Sequence, residues 1–275
     1  MKTVAIVGAG ETAAHVARTL AALEVAREIR LIDSASSVAL GKALDIQQAG
    51  PIGGFDTRVI GAVDLSAAAG AAVVVMADRH GGQDAAADAD GLRRVVAAVP
   101  RAPLVFACAG HDTLMMQSVR ELHVATSRVV GSAPDALAAA ARALLALAAD
   151  VSPAEVSLHV FGVPGRWVFG WSEAVVAGRP VGAVLPPHEI NGVERRIRAS
   201  WPPGPYSLGA AAARVSAAIL MRSRRRFTCF AALDGEWRDR SAAVSLALGP
   251  DGITAREEPA LSARERVELT TALSG

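Results

Sequence analysis

The fold class predicted by this sequence is α/β: a doubly wound parallel sheet followed by a second, α+β unit. Three observations predict it. Short β-branched runs alternate with helical patterns through the first half of the chain ("TVAIVG", "TAAHVARTLAALEVA", "EIRLID", "AAVVVMA", "APLVFACAG"), which is the order of βαβ units on a parallel sheet. A glycine-rich turn joins the first strand to the first helix. Past residue 150 the pattern changes to longer strands with Asp-Gly and Gly-Pro-Asp-Gly turns, the signature of antiparallel hairpins.

Taken in order, "TVAIV" is the first strand and "EIRLID" the second. The Ala-rich stretch "DALAAAARALLALAADV" is a helix buried between the two units, because Asp135, Arg142 and Asp150 bracket or interrupt it and leave no apolar run of membrane-spanning length. After it come "EVSLHVFG" and "WVFGWSEAVVAG", two helices ("HEINGVERRIRASW" and "LGAAAARVSAAILMRS"), and the hairpin strands "RFTCFAALDGEW" and "SAAVSLALGPDGITA". The closing helix "LSARERVELTTAL" opens with a capping box, Ser262 and Glu265. The expected organisation is a dinucleotide-binding unit over 1–130 and an α+β unit over 131–275.

With 28 Lys+Arg against 27 Asp+Glu, the net charge of the 275 residues is +1, so no global field draws the chain to nucleic acid or an anionic membrane. Cys108 and Cys229 lie far apart in apolar runs and read as buried thiols of a reducing compartment. "MKTVAIVGAG" enters a strand at once, without the pattern of a signal peptide, and the expected location is cytoplasmic. His123 and His188 lack metal-ligand spacing, and no metal is expected. His15 reads as a helix-surface or interface residue and His159 as a packed one. Arg222, Arg224, Arg225 and Arg226 are expected to complement the carbonyl end of the preceding helix.

The first strand runs into Gly8-Ala9-Gly10-Glu11-Thr12-Ala13, which fits G-x-G-x-x-G/A between a strand and a helix, the context of a Rossmann dinucleotide turn. Gly8 serves the tight turn, Gly10 the close approach of backbone to a pyrophosphate, and Ala13 the packing of helix on strand. The expected cofactor-binding residues are Gly8, Gly10, Glu11, Thr12, Ala13 and Asp33. Asp33 ends the second strand, where a carboxylate accepts ribose hydroxyls and repels a ribose phosphate, so the expected cofactor is NAD. Glu11 and Asp78 bring negative charge to the pyrophosphate path and oppose it.

"VAIVGAGETAAHVARTLA", "GKALDIQQAGPIGGFDTRVIG", "RVVGSAPDALAAAAR", "DVSPAEVSLHVFG" and "YSLGAAAARVSAAILMRSRRRFTCFAALDGEW" together resemble the lactate/malate dehydrogenase family, on its bacterial malate dehydrogenase branch, over nearly the whole chain. The resemblance implies an NAD-binding lobe, a substrate lobe and a homodimer or homotetramer, with "GKALDIQQAGPIGGF" in a symmetric interface through Ala43, Leu44 and Ile46. It also implies a proton-transferring histidine, an aspartate that orients it and an arginine that clamps the substrate carboxylate. Those positions hold Pro164, Leu137 and Ala140 here, the family's asparagine falls at Ala109, its glycine after the fourth strand at Asp78, and its arginine-bearing loop is shortened to "DRHGGQDAAADADGL".

No residue is therefore assigned a catalytic role. The expected function is a family member that keeps NAD(H) and has lost its chemistry, acting as a sensor, scaffold or partner subunit. Two alternatives stay open. One is an active NAD-dependent oxidoreductase with a relocated acid/base and a non-standard substrate, drawing on His80, His111 with Asp112, or Arg166; the bland alternative for these three is solvated loop. The other is an interaction protein that binds no nucleotide.

Overall fold

The computed structural model describes residues 2–82, 84–237, 240–257 and 260–274. The first half runs β1 (Thr3–Val7), α1 (Glu11–Leu23), β2 (Glu28–Ile32), α2 (Ser36–Gln48), α3 (Gly50–Gly53), β3 (Arg58–Ala62), β4 (Val73–Met76), α4 (Ala85–Ala98), β5 (Leu104–Phe106), α5 (Asp112–Arg120) and β6 (Val129–Gly131). The second runs α6 (Ala133–Ala149), β7 (Val156–Ser157), β8 (Val160–Val163), β9 (Arg166–Phe169), β10 (Val175–Val176), β11 (Arg179–Pro180), α7 (Pro187–Ala199), α8 (Pro205–Met221), β12 (Arg226–Ala232), β13 (Ser241–Gly249), β14 (Gly252–Glu257) and α9 (Ala263–Ser274).

Strands β1 to β6 pair in parallel in the order β3-β2-β1-β4-β5-β6, the doubly wound arrangement, with Val4 opposite Ile29 on one side and Val73 on the other. The sheet then continues with reversed direction. Phe230 of β12 pairs with Gly131 of β6, and β13, β8 and β9 follow antiparallel, with β14 on β13. A small separate sheet joins β11, β10 and β7.

Side chains alternate across the sheet, so Val4 and Ile6 of β1 enter one core layer while Ala5 and Val7 enter the other. The first layer lies under α1, α2 and α8, the second under α4, α5 and α6. Small residues let α1 and α8 approach closely: a Cβ on Gly209 would meet the His15 Cβ at 2.4 Å. His15 stacks on Tyr206, its ring centroid 3.9 Å away, and His159 is half-buried beside Phe161. Both cysteines are buried free thiols.

The capping box of α9 forms, with the Ser262 amide donating to Glu265 at 2.8 Å and the Glu265 amide to the Ser262 hydroxyl at 3.3 Å. The arginine cluster directly follows the carbonyl end of α8: the helix ends at Met221, Arg222 stands at its C-cap in the left-handed region at φ +55°, and Arg222, Arg224 and Arg225 are exposed. It is Lys2, at the foot of β1, whose ammonium donates to the Leu220 carbonyl. Arg226 instead pairs with Glu257. No helix among the described residues is long and apolar enough to cross a membrane.

Candidate functional site

The turn between β1 and α1 has the shape its glycines require. Gly8 adopts φ +110°, and a Cβ there would lie 2.3 Å from the Asp78 carbonyl oxygen. Gly10 holds the turn against β4 by donating its amide to that carbonyl at 2.8 Å. The absent side chain of Gly10 leaves a space, and the Asp78 carboxylate fills it, with its Cγ 2.3 Å from where a Cβ would stand. From there Asp78 accepts from the first free amides of α1: Thr12 at 3.1 Å and Ala13 at 2.8 Å. These amides form the positive end of the helix, where an anion is stabilised. Lys42 crosses the same turn and spends its ammonium on the Ala9 and Gly10 carbonyls, at 2.7 and 2.8 Å.

Asp33 stands at the end of β2 with only 5 % exposure. One carboxylate oxygen accepts from the Ala9 amide at 2.8 Å and the His80 amide at 3.0 Å, the other from the Ala35 amide at 2.9 Å. Arg79 lies over the same corner, reaching Ser34 Oγ at 3.1 Å and Asp88 at 4.0 Å. Gly81 and Gly82, at φ +89° and +104°, turn the chain back after it.

The residues named for a dinucleotide are thus brought together, but their donors and acceptors are engaged within the chain. The Thr12 and Ala13 amides hold a carboxylate, Asp33 is directed at backbone amides, and Glu11 adds an exposed negative charge at the head of α1. Beside them the remaining cavity, bordered by Gly8, Ile32, Asp33, Met76, Arg79 and Leu114, measures about 190 Å³, below the roughly 300 Å³ at which small-molecule pockets begin. This arrangement does not fit a dinucleotide pyrophosphate. The sequence pattern supplied the position of every glycine and of Asp33; the inward direction of Asp33 and the engagement of Lys42 had no signal in it.

A larger cleft of about 690 Å³ opens between α5, the β8–β9 turn and α9, bordered by Asp88, His111, Gln117, Pro164, Arg166 and Arg240. Pro164 is exposed on its wall, in the turn after β8. Leu137 is 0 % exposed on α6, Ala140 is partly covered one turn further on, and Ala109 packs against the core. None of the four carries a titratable group.

His111 is not a solvated loop residue. It is 6 % exposed, and burial pushes its pKa down to about 4 against the opposing pull of Asp78, of a hydrogen bond to the Met76 carbonyl and of Asp112. Its Nδ1 is sealed from solvent with no partner among the described residues. The ring is therefore neutral near pH 7, and Nδ1 exchanges no proton with a molecule in the cleft. Asp112 begins α5, while His80 and Arg166 are exposed at different edges, so no acid/base pair is assembled from them.

No protein-family model matches the chain. It is similar to a malate dehydrogenase of Thermomicrobium roseum, 28 % identical over 290 residues that cover 98 % of this chain and 94 % of the relative. Among solved structures it is similar to the malate dehydrogenase of Salinibacter ruber, with a TM-score of 0.90 and 27 % identity over 99 % of this chain and 94 % of that one. It shares its fold, at a TM-score of 0.90 and 21 % identity, with the lactate dehydrogenase of Cryptosporidium parvum complexed with lactic acid and nicotinamide adenine dinucleotide, covering 99 % of this chain and 95 % of that one.

Proposed function

Starting from a chain that belongs to the lactate/malate dehydrogenase family, we propose that this member performs no hydride transfer between 2-hydroxy and 2-keto acids and serves as a non-catalytic scaffold or partner subunit. The observation that carries this is the state of the three positions that would do the chemistry: Pro164 and Ala140 offer no proton or charge, and Leu137 is wholly inside the core. A positioned general acid/base contributes about 100- to 10,000-fold in rate, and a bidentate arginine orients the carboxylate that sets the reacting carbon. Without either, both contributions are missing from this chain. At 6 % exposure and with its Nδ1 sealed from solvent, His111 argues against a relocated acid/base in the same cleft.

A scaffold role asks for a surface. Leu40 and Leu44 on α2 and Ile52 on α3 are 52, 58 and 92 % exposed. We take this apolar face as the self-association surface of a homo-oligomer. Ala43 and Ile46, expected to supply contact area, instead point into the chain's own core.

The test is NADH consumption with oxaloacetate and with pyruvate at high protein concentration. No turnover above buffer is expected from the natural chain or from Pro164→His, because groups that act as a unit are not restored singly. Turnover by the natural chain on either keto acid overturns the proposal.

A further inference from the structure

Three consecutive residues of the β4–α4 connection each reach a different wall of the dinucleotide groove. Asp78 binds the amide end of α1 through Thr12 and Ala13, Arg79 reaches Ser34, and the His80 amide is held by Asp33. We infer that Asp78, Arg79 and His80 form a built-in occupant of this groove, with the Asp78 carboxylate in place of a pyrophosphate, and that the chain is held in a cofactor-free state. The inference concerns binding rather than turnover and does not depend on the loss of the acid/base.

Charge and space both support it. The amide end of a helix stabilises one anionic group at close range. The cradle that Gly10 leaves open is already filled by Asp78, so a pyrophosphate would have to expel that carboxylate and break both of its bonds. The competitor is tethered. Its effective concentration is on the order of millimolar or above, and it is restored whenever the ligand leaves. Of the two cations at this corner, the Lys42 ammonium is spent on the Ala9 and Gly10 carbonyls and the Arg79 guanidinium is engaged by Ser34 and Asp88. Backbone geometry reinforces the closure: the Asp78 carbonyl accepts from the Gly10 amide at 2.8 Å, and the Gly82 amide closes a turn onto the Arg79 carbonyl at 3.4 Å.

The experiment titrates NADH into the full chain and into its Asp78→Gly and Asp78→Asn variants, reading NADH fluorescence and, independently, Tm. The natural chain should show no saturable binding in the micromolar range and no shift of Tm with NADH. Asp78→Gly should lower the Tm of the ligand-free protein, because two helix amides lose their acceptor, and should gain affinity for NADH by at least about tenfold, the scale of removing one charge-assisted competitor. Asp78→Asn keeps the bulk and one acceptor oxygen without the charge; its gain should be smaller. Micromolar NADH binding by the natural chain overturns the inference. So does a folded Asp78→Gly variant that gains nothing, and should that variant fail to fold, an Asp78→Asn variant with unchanged affinity does the same. Turnover of keto acids, measured separately, bears only on the non-catalytic role.

Discussion

Returning the family carboxylate to position 137 should come close to unfolding the protein. Leu137 is 0 % exposed, within the core layer that includes Ala133, Ala141, Met115 and Phe230. Removing a buried leucine side chain costs about 2–5 kcal/mol in transfer and cavity terms. The carboxyl introduced by Leu137→Asp has no imidazole to meet, because Pro164 stands at the histidine position, and in an apolar layer it folds in its neutral form. Holding a carboxyl of ordinary pKa near 3.9 neutral at pH 7 costs about 1.4 kcal/mol per unit, or about 4 kcal/mol. The combined penalty of roughly 6–9 kcal/mol rivals the whole stability of a typical protein, about 5–15 kcal/mol. At about 2–4 °C per kcal/mol, Tm should fall by some 12 °C or more.

The pH dependence of that loss separates its two parts. The introduced carboxyl has a folded pKa raised above its unfolded value, so its titration penalty is absent below the unfolded pKa and grows as pH rises from there toward the folded one. Leu137→Asp should therefore be closer to the natural chain at pH 5 than at pH 8. Leu137→Asn, which loses the same packing without a titrating group, should show a deficit independent of pH. Thermal and urea denaturation of the three proteins at both values is the assay. A deficit under about 2 kcal/mol, or one that ignores pH, would mean that side chains at 137 reach solvent and that the core assignment behind this reasoning is wrong.

Two further outcomes follow from other parts of the fold. Glu265 accepts from the Ser172 amide at 2.9 Å, the Ser262 amide at 2.8 Å and the Ser262 hydroxyl at 2.7 Å; burial raises its pKa, but the hydrogen bonds from Ser172 and Ser262 together outweigh this and lower it. Glu265→Ala should cost about 1–3 kcal/mol in urea denaturation at neutral pH, and the gap should close as the pH falls through the lowered pKa of Glu265, since a depressed carboxylate stabilises only while ionised. Leu44→Arg should convert a self-associating natural chain to monomer in sedimentation at micromolar concentration, whereas a natural chain that is already monomeric there refutes the assignment of that face.

The elements were legible in the sequence where local chemistry sets them. Alternating β-branched runs and helices marked β1, β2, β4 and β5, the Gly-Pro-Asp-Gly turn marked the β13–β14 hairpin, and three-residue spacing marked the Ser262–Glu265 box, whereas the short strands β3 and β6 were not read. What escaped depended on contacts between distant segments. Period 3.6 gave α2 an apolar face without saying whether Ala43 and Ile46 or Leu40 and Leu44 would be inward. His111 follows Ala-Gly and looks like loop, yet its ring is enclosed near Met76 and Phe106, elements that lie over thirty and five positions away. Asp78 was visible as unwanted charge near the groove, but its bonds to Thr12 and Ala13 span more than sixty residues and leave no local trace.

The two departures in the groove and the core change stability in the same direction. In a chain that holds no dinucleotide, the Thr12 and Ala13 amides would need water or another acceptor, and the Asp78 carboxylate meets that need with a contribution of about 0.5–2 kcal/mol, the scale of a helix cap. Leu137 is a side chain that simply packs, where the carboxyl implied by the family resemblance would have to be solvated or neutralised in an apolar layer. On the proposed reading both side chains favour stability over a ligand or a reaction, the direction expected where function does not oppose it. Repair is consequently asymmetric. Asp78→Gly removes the anionic part of the occupant from a cradle whose glycines remain, so the pyrophosphate end of the groove reopens at one position and at modest cost. Chemistry would need a histidine, an aspartate and an arginine together, one of them forced into the core at the expense of most of the folding free energy.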